Sequence, residues 1–155
     1  MRDLLAATAL IAALAASASG MDRQEWGFVE STGEVQLFYG VPDSGSLTVA
    51  FICRAEQRHL EAVTTVLPRK PRTGQPHAIT LSNGAVTATY GANVGHTESE
   101  GYYVGAPVAF APMVLDVMRS GTTLTIGVPG GRERVPLRGI AAPLARFEAA
   151  CFRRG

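Results

Sequence analysis

Two stretches of the chain alternate apolar and polar residues around a turn. Val35, Leu37, Tyr39 and Val41 share one face of residues 34–41, and Leu47, Val49, Phe51 and Cys53 share one face of residues 47–53. A period of two belongs to a strand with one side buried. Between them stands Pro42-Asp43-Ser44-Gly45, where proline presets φ, aspartate bonds its own backbone and glycine accepts positive φ. The pattern predicts a hairpin with Cys53 in its buried row. A second hairpin follows from Ile79 and Leu81, then Asn83-Gly84, then Val86, Ala88 and Tyr90. Asn-Gly suits a two-residue type I′ turn, whose central residues both need positive φ.

Residues 25–29 and 60–67 read as further strands. Residues 122–128 alternate through Leu124, Ile126 and Val128, Pro129-Gly130-Gly131 turns the chain, and residues 134–137 return. Pro136 confines that return to an edge or to the strand's end. The segment LPRKPRTGQP holds Pro68, Pro71 and Pro76 and reads as an exposed connection. Residues 91–101, GANVGHTESEG, are polar and glycine-flanked, and read as loop or frayed strand.

Two stretches carry the helical period instead. In residues 112–119 proline opens the first turn and Arg119 closes the last, and Gly121 stands where a left-handed stop belongs. From Pro143 onward Leu144, Phe147 and Cys151 line one face, with Arg146, Glu148 and Arg153 largely off it. The predicted fold is mainly β, with α+β as the alternative. It is an antiparallel β-sandwich or barrel of about six to eight strands with two short helices, one of them C-terminal.

The opening run of residues 4–15 is apolar apart from one threonine and leads to Ala16-Ser17-Ala18, an A-x-A cleavage site. As a helix it would span about 18 Å, short of a hydrocarbon core about 30 Å thick. Residues 1–18 therefore read as a signal peptide and residues 19–155 as one globular domain, periplasmic or extracellular. In an oxidising compartment the two cysteines, Cys53 and Cys151, both facing inward, predict a disulfide that tethers the terminal helix. A loop of that length corresponds to about 4–5 kcal/mol as an upper figure.

Charge and candidate chemistry narrow the function classes. The net charge of +1 gives no reason to expect nucleic acid as a partner, and no second apolar segment predicts membrane insertion after signal removal. No G-x-S-x-G elbow is present, and cysteines joined to each other leave no thiolate nucleophile. Ser44 and Ser46 have turn roles. His59 and His77 flank strands and read as surface residues. His96, Glu98 and Glu100 are a polar-site candidate: if extended, the three share a face and could hold a cation or form a base with two carboxylates. Tyr102 and Tyr103 are a candidate contact patch, since tyrosine gives area and a hydrogen bond at little entropic cost. Arg69, Lys70 and Arg72, and Arg132, Arg134 and Arg138, are basic clusters without interleaved aromatics and read as solvated surface. No catalytic residue, resident metal or cofactor is expected.

The segments YGVPDSGSLTVAFIC, LSNG, SGTTLTIGVPG, VPLRG and LARFEAAC together resemble small exported, periplasmic-type bacterial proteins of uncharacterised function. The likeness spans residues 35–151 and rests on turns, strands and a terminal cysteine, so it carries no activity and no functional residue across. Small periplasmic lysozyme-inhibitor-like barrels are similar in size, export and a stapling disulfide, by analogy of architecture alone. The expected function is a non-enzymatic envelope domain binding a protein or a cell-wall component. The alternatives are an inhibitor of a wall-degrading enzyme, or an enzyme or small-ligand carrier whose pocket is assembled from residues distant in sequence.

Overall fold

The computed structural model describes residues 23–54, 60–108 and 112–152; the expected signal peptide, His59 and Arg153 lie outside the described residues. In chain order the elements are β1 (Glu25–Ser31), β2 (Glu34–Gly40), β3 (Leu47–Arg54), β4 (Leu60–Thr64), β5 (Pro76–Ser82), β6 (Thr87–Thr97) and β7 (Gly101–Val108). There follow α1 (Pro112–Arg119), β8 (Thr123–Val128), β9 (Gly131–Pro136) and α2 (Ala141–Phe152). The strands form one nine-stranded antiparallel sheet in the order β1-β2-β3-β4-β7-β6-β5-β8-β9. The protein is mainly β with two short helices, as the alternation of apolar residues requires.

One face of the sheet is buried along its whole length. Val35, Leu37 and Tyr39 of β2 lie opposite Cys53, Phe51 and Val49 of β3, and all six are buried. Val104, Ala106 and Val108 of β7 continue that face, as do Ile79 and Leu81 of β5 and Leu124 and Ile126 of β8. Both helices press their apolar sides into it. Helix α1 contributes Val114, Val117 and Met118 against β5 and β6, and α2 contributes Leu144 and Phe147 against β1 and β2. Arg119 joins the helices, its guanidinium meeting both carboxylate oxygens of Glu148 at 3.0 and 3.1 Å. Across β1 the guanidinium of Arg146 lies 4.5 Å from the centre of the Phe28 ring.

The sheet curls around this core until its edge strands meet. Trp26 of β1 donates its indole N–H to the carbonyl of Pro136 in β9 at 2.6 Å. The architecture is thus the barrel-like member of the predicted pair, its seam held by a side chain with no β1–β9 ladder among the described residues. Pro136 sits on an edge strand, where its missing N–H costs no ladder bond.

The Cys53–Cys151 disulfide is formed, with Cα atoms 5.9 Å apart and a sequence separation of 98. It fastens the last turn of α2 to the buried row of β3, next to Val35 on β2.

Four local expectations change. Residues 91–97 are strand and extend β6, and Gly101–Val108 forms β7, which raises the strand count to nine. The Asn-Gly turn is a four-residue connection, because the ladder closes at Ser82 and Thr87 and positive φ occurs at Gly84 but not at Asn83. Asn83 acts through its side chain: Oδ1 accepts from the N–H groups of Ala85 and Val86. Its Nδ2 donates to the carbonyls of Val117 and Ser120, capping α1. In the β2–β3 turn the backbone-bonding residue is Ser44, whose Oγ donates to the Val41 carbonyl and accepts from the Ser46 N–H. Asp43 instead takes a left-handed φ of 58°. Finally, the proline-rich connection is only partly exposed: Pro68 is buried, and Val66 and Leu67 pack on the core.

Candidate functional site

Strands β6 and β7 outrun their neighbours. The β4–β7 ladder ends at Thr64 and Val104, and the β5–β6 ladder at Pro76 and Asn93, with Gly74 and Gln75 continuing the pairing as far as Val94. Gly95, His96 and Thr97 pair only with Tyr103, Tyr102 and Gly101. This is a two-stranded arm beyond the body of the sheet. Its tip is a three-residue loop, with Gly101 at φ 77° and the Glu100 N–H donated to Thr97 Oγ1 at 3.1 Å. A three-residue hairpin connection of this kind uses glycine at its left-handed position.

The arm separates residues that the sequence groups together. His96 lies in β6, whereas Glu98 and Glu100 lie in the turn, so the three do not share a strand face. Tyr102 and Tyr103 project to opposite faces. Tyr102 is 39% exposed and stands opposite His96, the two rings edge to face with centroids 4.7 Å apart. Tyr103 lies across the bare backbone of Gly95 on the other face, where a Cβ on Gly95 would fall within its ring. One face of the arm therefore carries an exposed aromatic-imidazole pair, with the carboxylates of Glu98 and Glu100 at its end.

The second feature is a cleft of about 690 Å³ at the seam, lined by Arg23, Glu25, Trp26, Tyr39, Pro136 and Arg138 among others. Trp26 and Tyr39 are cross-strand partners with ring centroids 5.4 Å apart. Arg23 precedes β1 and Arg138 follows β9, so the two arginines come to the cleft from the two edge strands that meet at the seam. Neither forms an ion pair with a described residue, and nor does Glu25. Two arginines are saturated: Arg54 bridges Glu34 at 2.9 Å and Glu61 at 2.6 Å, and Arg119 meets Asp116 as well as Glu148. These residues are far apart in sequence and form no motif. Only the closure of the sheet brings them together, which is why sequence spacing did not single them out.

His77 is not a surface residue. It points inward from β5, half-buried, and its Nε2 is enclosed without a hydrogen-bond partner; Gln75 Oε1 and the Tyr90 hydroxyl share that condition. Burial raises the pKa of Tyr90, because the phenolate would have to be desolvated. Of the two basic clusters, the first reaches the β8–β9 turn, where the Arg69 side chain packs beside Gly130. Among the described residues no three His, Cys, Asp or Glu side chains are placed to hold a metal ion. No described helix is long and apolar enough to cross a membrane.

Compared with protein-family models, with curated proteins and with solved structures, the chain finds no match.

Proposed function

We propose that this is an exported, non-enzymatic binding domain of the cell envelope that engages a protein partner through the β6–β7 arm. The observation that carries the reading is the arm itself, which holds Tyr102 and His96 outside the body of the sheet on strands that pair only with each other. An aromatic already braced by a neighbouring ring loses little side-chain freedom on binding, so its contact area converts into affinity more fully. A narrow hairpin also fits a concave partner, and an inhibitor entering the cleft of a wall-degrading enzyme is the special case with that shape. Export is supported by the leader pattern and by the disulfide.

The test is site-specific photocrosslinking in the native envelope. A photoreactive residue at position 102 is expected to give a discrete adduct that the same residue at Val29, an exposed apolar position on β1, does not. Equal labelling from both positions, or an adduct with polysaccharide in place of protein, would reject the arm as a protein-binding element.

A further inference from the structure

The geometry points to a second site, independent of the arm: the seam cleft binds a small ligand that carries one carboxylate on a hydroxylated body. The inference begins with unspent charge. Two arginine side chains, Arg23 and Arg138, line one cleft, and neither forms an ion pair with a described residue. Arg54 and Arg119 each hold two acidic partners, and the remaining arginines without an ion pair among the described residues do not line this cleft. Guanidinium is a planar fork of donors matched to a carboxylate, which it grips with two parallel hydrogen bonds.

The remaining groups refine the ligand. Glu25 lines the same cleft unpaired, so two arginines and one glutamate leave a single net positive charge. That balance suits a monoanion better than a phosphate monoester, which carries about 1.5 to 2 negative charges near neutrality. Glu25 then accepts from a hydroxyl or amine of the ligand. The Tyr39 hydroxyl, bonded to none of the described residues, offers a further donor or acceptor. Trp26 and Tyr39, largely buried and tilted 55° to each other, line the bottom of the cleft and give it an apolar contact for the C–H edge of a ring. The cleft's volume falls within the range of about 300–1,000 Å³ usual for small-molecule sites.

Arg138 is also held in place. It sits between buried Leu137 and buried Ile140, beside Gly139 at φ 89°. The flanking backbone is fixed by Leu137 N–H to Thr122 and Ile140 N–H to Leu137. A short anchored turn of this kind presents its charge without ordering a loop first, which lowers the cost of binding.

Trp26 is the single tryptophan of the chain and lines the cleft, so its fluorescence reports this site alone. The mature protein is titrated with glucuronate, with glucose as the neutral match and with inorganic phosphate, each to about 10 mM, which reaches millimolar affinities. Glucuronate is expected to give a saturable change, and glucose none. The double variant Arg23→Gln/Arg138→Gln is expected to weaken it at least about tenfold, the scale of lost charge-assisted hydrogen bonds. Arg132→Gln, on the outer side of β9, is expected to bind as the parent does. Urea midpoints of each variant establish that it is folded. Should the double variant fail to fold, the Trp26 indole N–H resonance of the parent decides, by shifting with glucuronate and not with glucose. No saturable response to glucuronate, an equal response to glucose, tighter binding of phosphate, or full binding by the folded double variant would each overturn the proposal.

Discussion

At the residue scale, two glycines in strands are explained by the rings that lie on them. Gly27 faces Phe38 directly across β1 and β2, and Gly95 faces Tyr103 across β6 and β7. In both pairs a Cβ on the glycine would collide with the ring opposite. Glycine weakens a strand by its entropy and lack of packing, and a cross-strand aromatic folded over it restores buried contact. Gly95→Ala should therefore destabilise the protein by about 1–3 kcal/mol through displacement of Tyr103. In a Tyr103→Ala background the same change should cost little, so a double-mutant cycle by urea unfolding reads the coupling. Tyr90 supplies a pH signature. Its hydroxyl is enclosed and unpartnered, and desolvation raises its pKa above the ordinary value of 10.0. The neutral phenol is the form the fold keeps, so its contribution is complete below pH 10 and is lost as pH rises through the higher folded pKa. Tyr90→Phe should flatten the loss of stability above pH 10 and leave stability at pH 7 unchanged or slightly raised, as followed by urea midpoints across pH.

At the element scale, most strands and both helices are legible in the sequence because their apolar period is unbroken. Residues 112–119 match α1 at both ends, with Gly121 at φ 83° as the stop. Strand β6 was legible only in part. Its inward row runs Tyr90, Ala92, Val94 and His96, but glycine, asparagine and threonine fill the outward positions. Low β-propensity thus hides a strand whose place is fixed by its partners on either side. The Asn83 connection went astray for a related reason. Asn-Gly was assigned from local turn chemistry, whereas the residue's carboxamide is committed to a helix 34 residues away. Asn83→Ala should cost about 1–2 kcal/mol, because it removes both the turn acceptor and the cap on α1. Asn83→Asp keeps the acceptor and loses the donor, and should fall between the two. Amide exchange at Ala85 and Val86 separates these effects, since Asp preserves their protection and Ala does not.

At the scale of the whole molecule, what the sequence could not supply was closure. Hydrophobic period sets which face of each strand is buried, yet it is silent on which strands are neighbours. The β4–β7 and β5–β8 pairings are non-consecutive, and the meeting of β1 with β9 has no local signature at all. The disulfide was legible because two inward-facing cysteines in a chain read as exported leave one economical pairing; the seam cleft, which adds residues before β1 and after β9, was not. These two long-range devices have different consequences. The Cys53–Cys151 bond joins positions 98 apart and acts largely by restricting the unfolded chain. The Trp26–Pro136 contact spans 110 residues but restrains only the native state. Reduction, or Cys53→Ser/Cys151→Ser, should therefore lower stability by about 2–5 kcal/mol. Because an intact bond already shortens the unfolded ensemble, the reduced chain should also unfold with a larger urea m-value. Trp26→Phe keeps an aromatic ring but loses the indole donor and part of the buried volume, so it should cost about 1–3 kcal/mol with an unchanged m-value. Parallel urea titrations of the two variants, followed by far-ultraviolet circular dichroism, separate a restraint on the unfolded chain from a latch on the folded one. An unchanged m-value after reduction would place the disulfide with the latch.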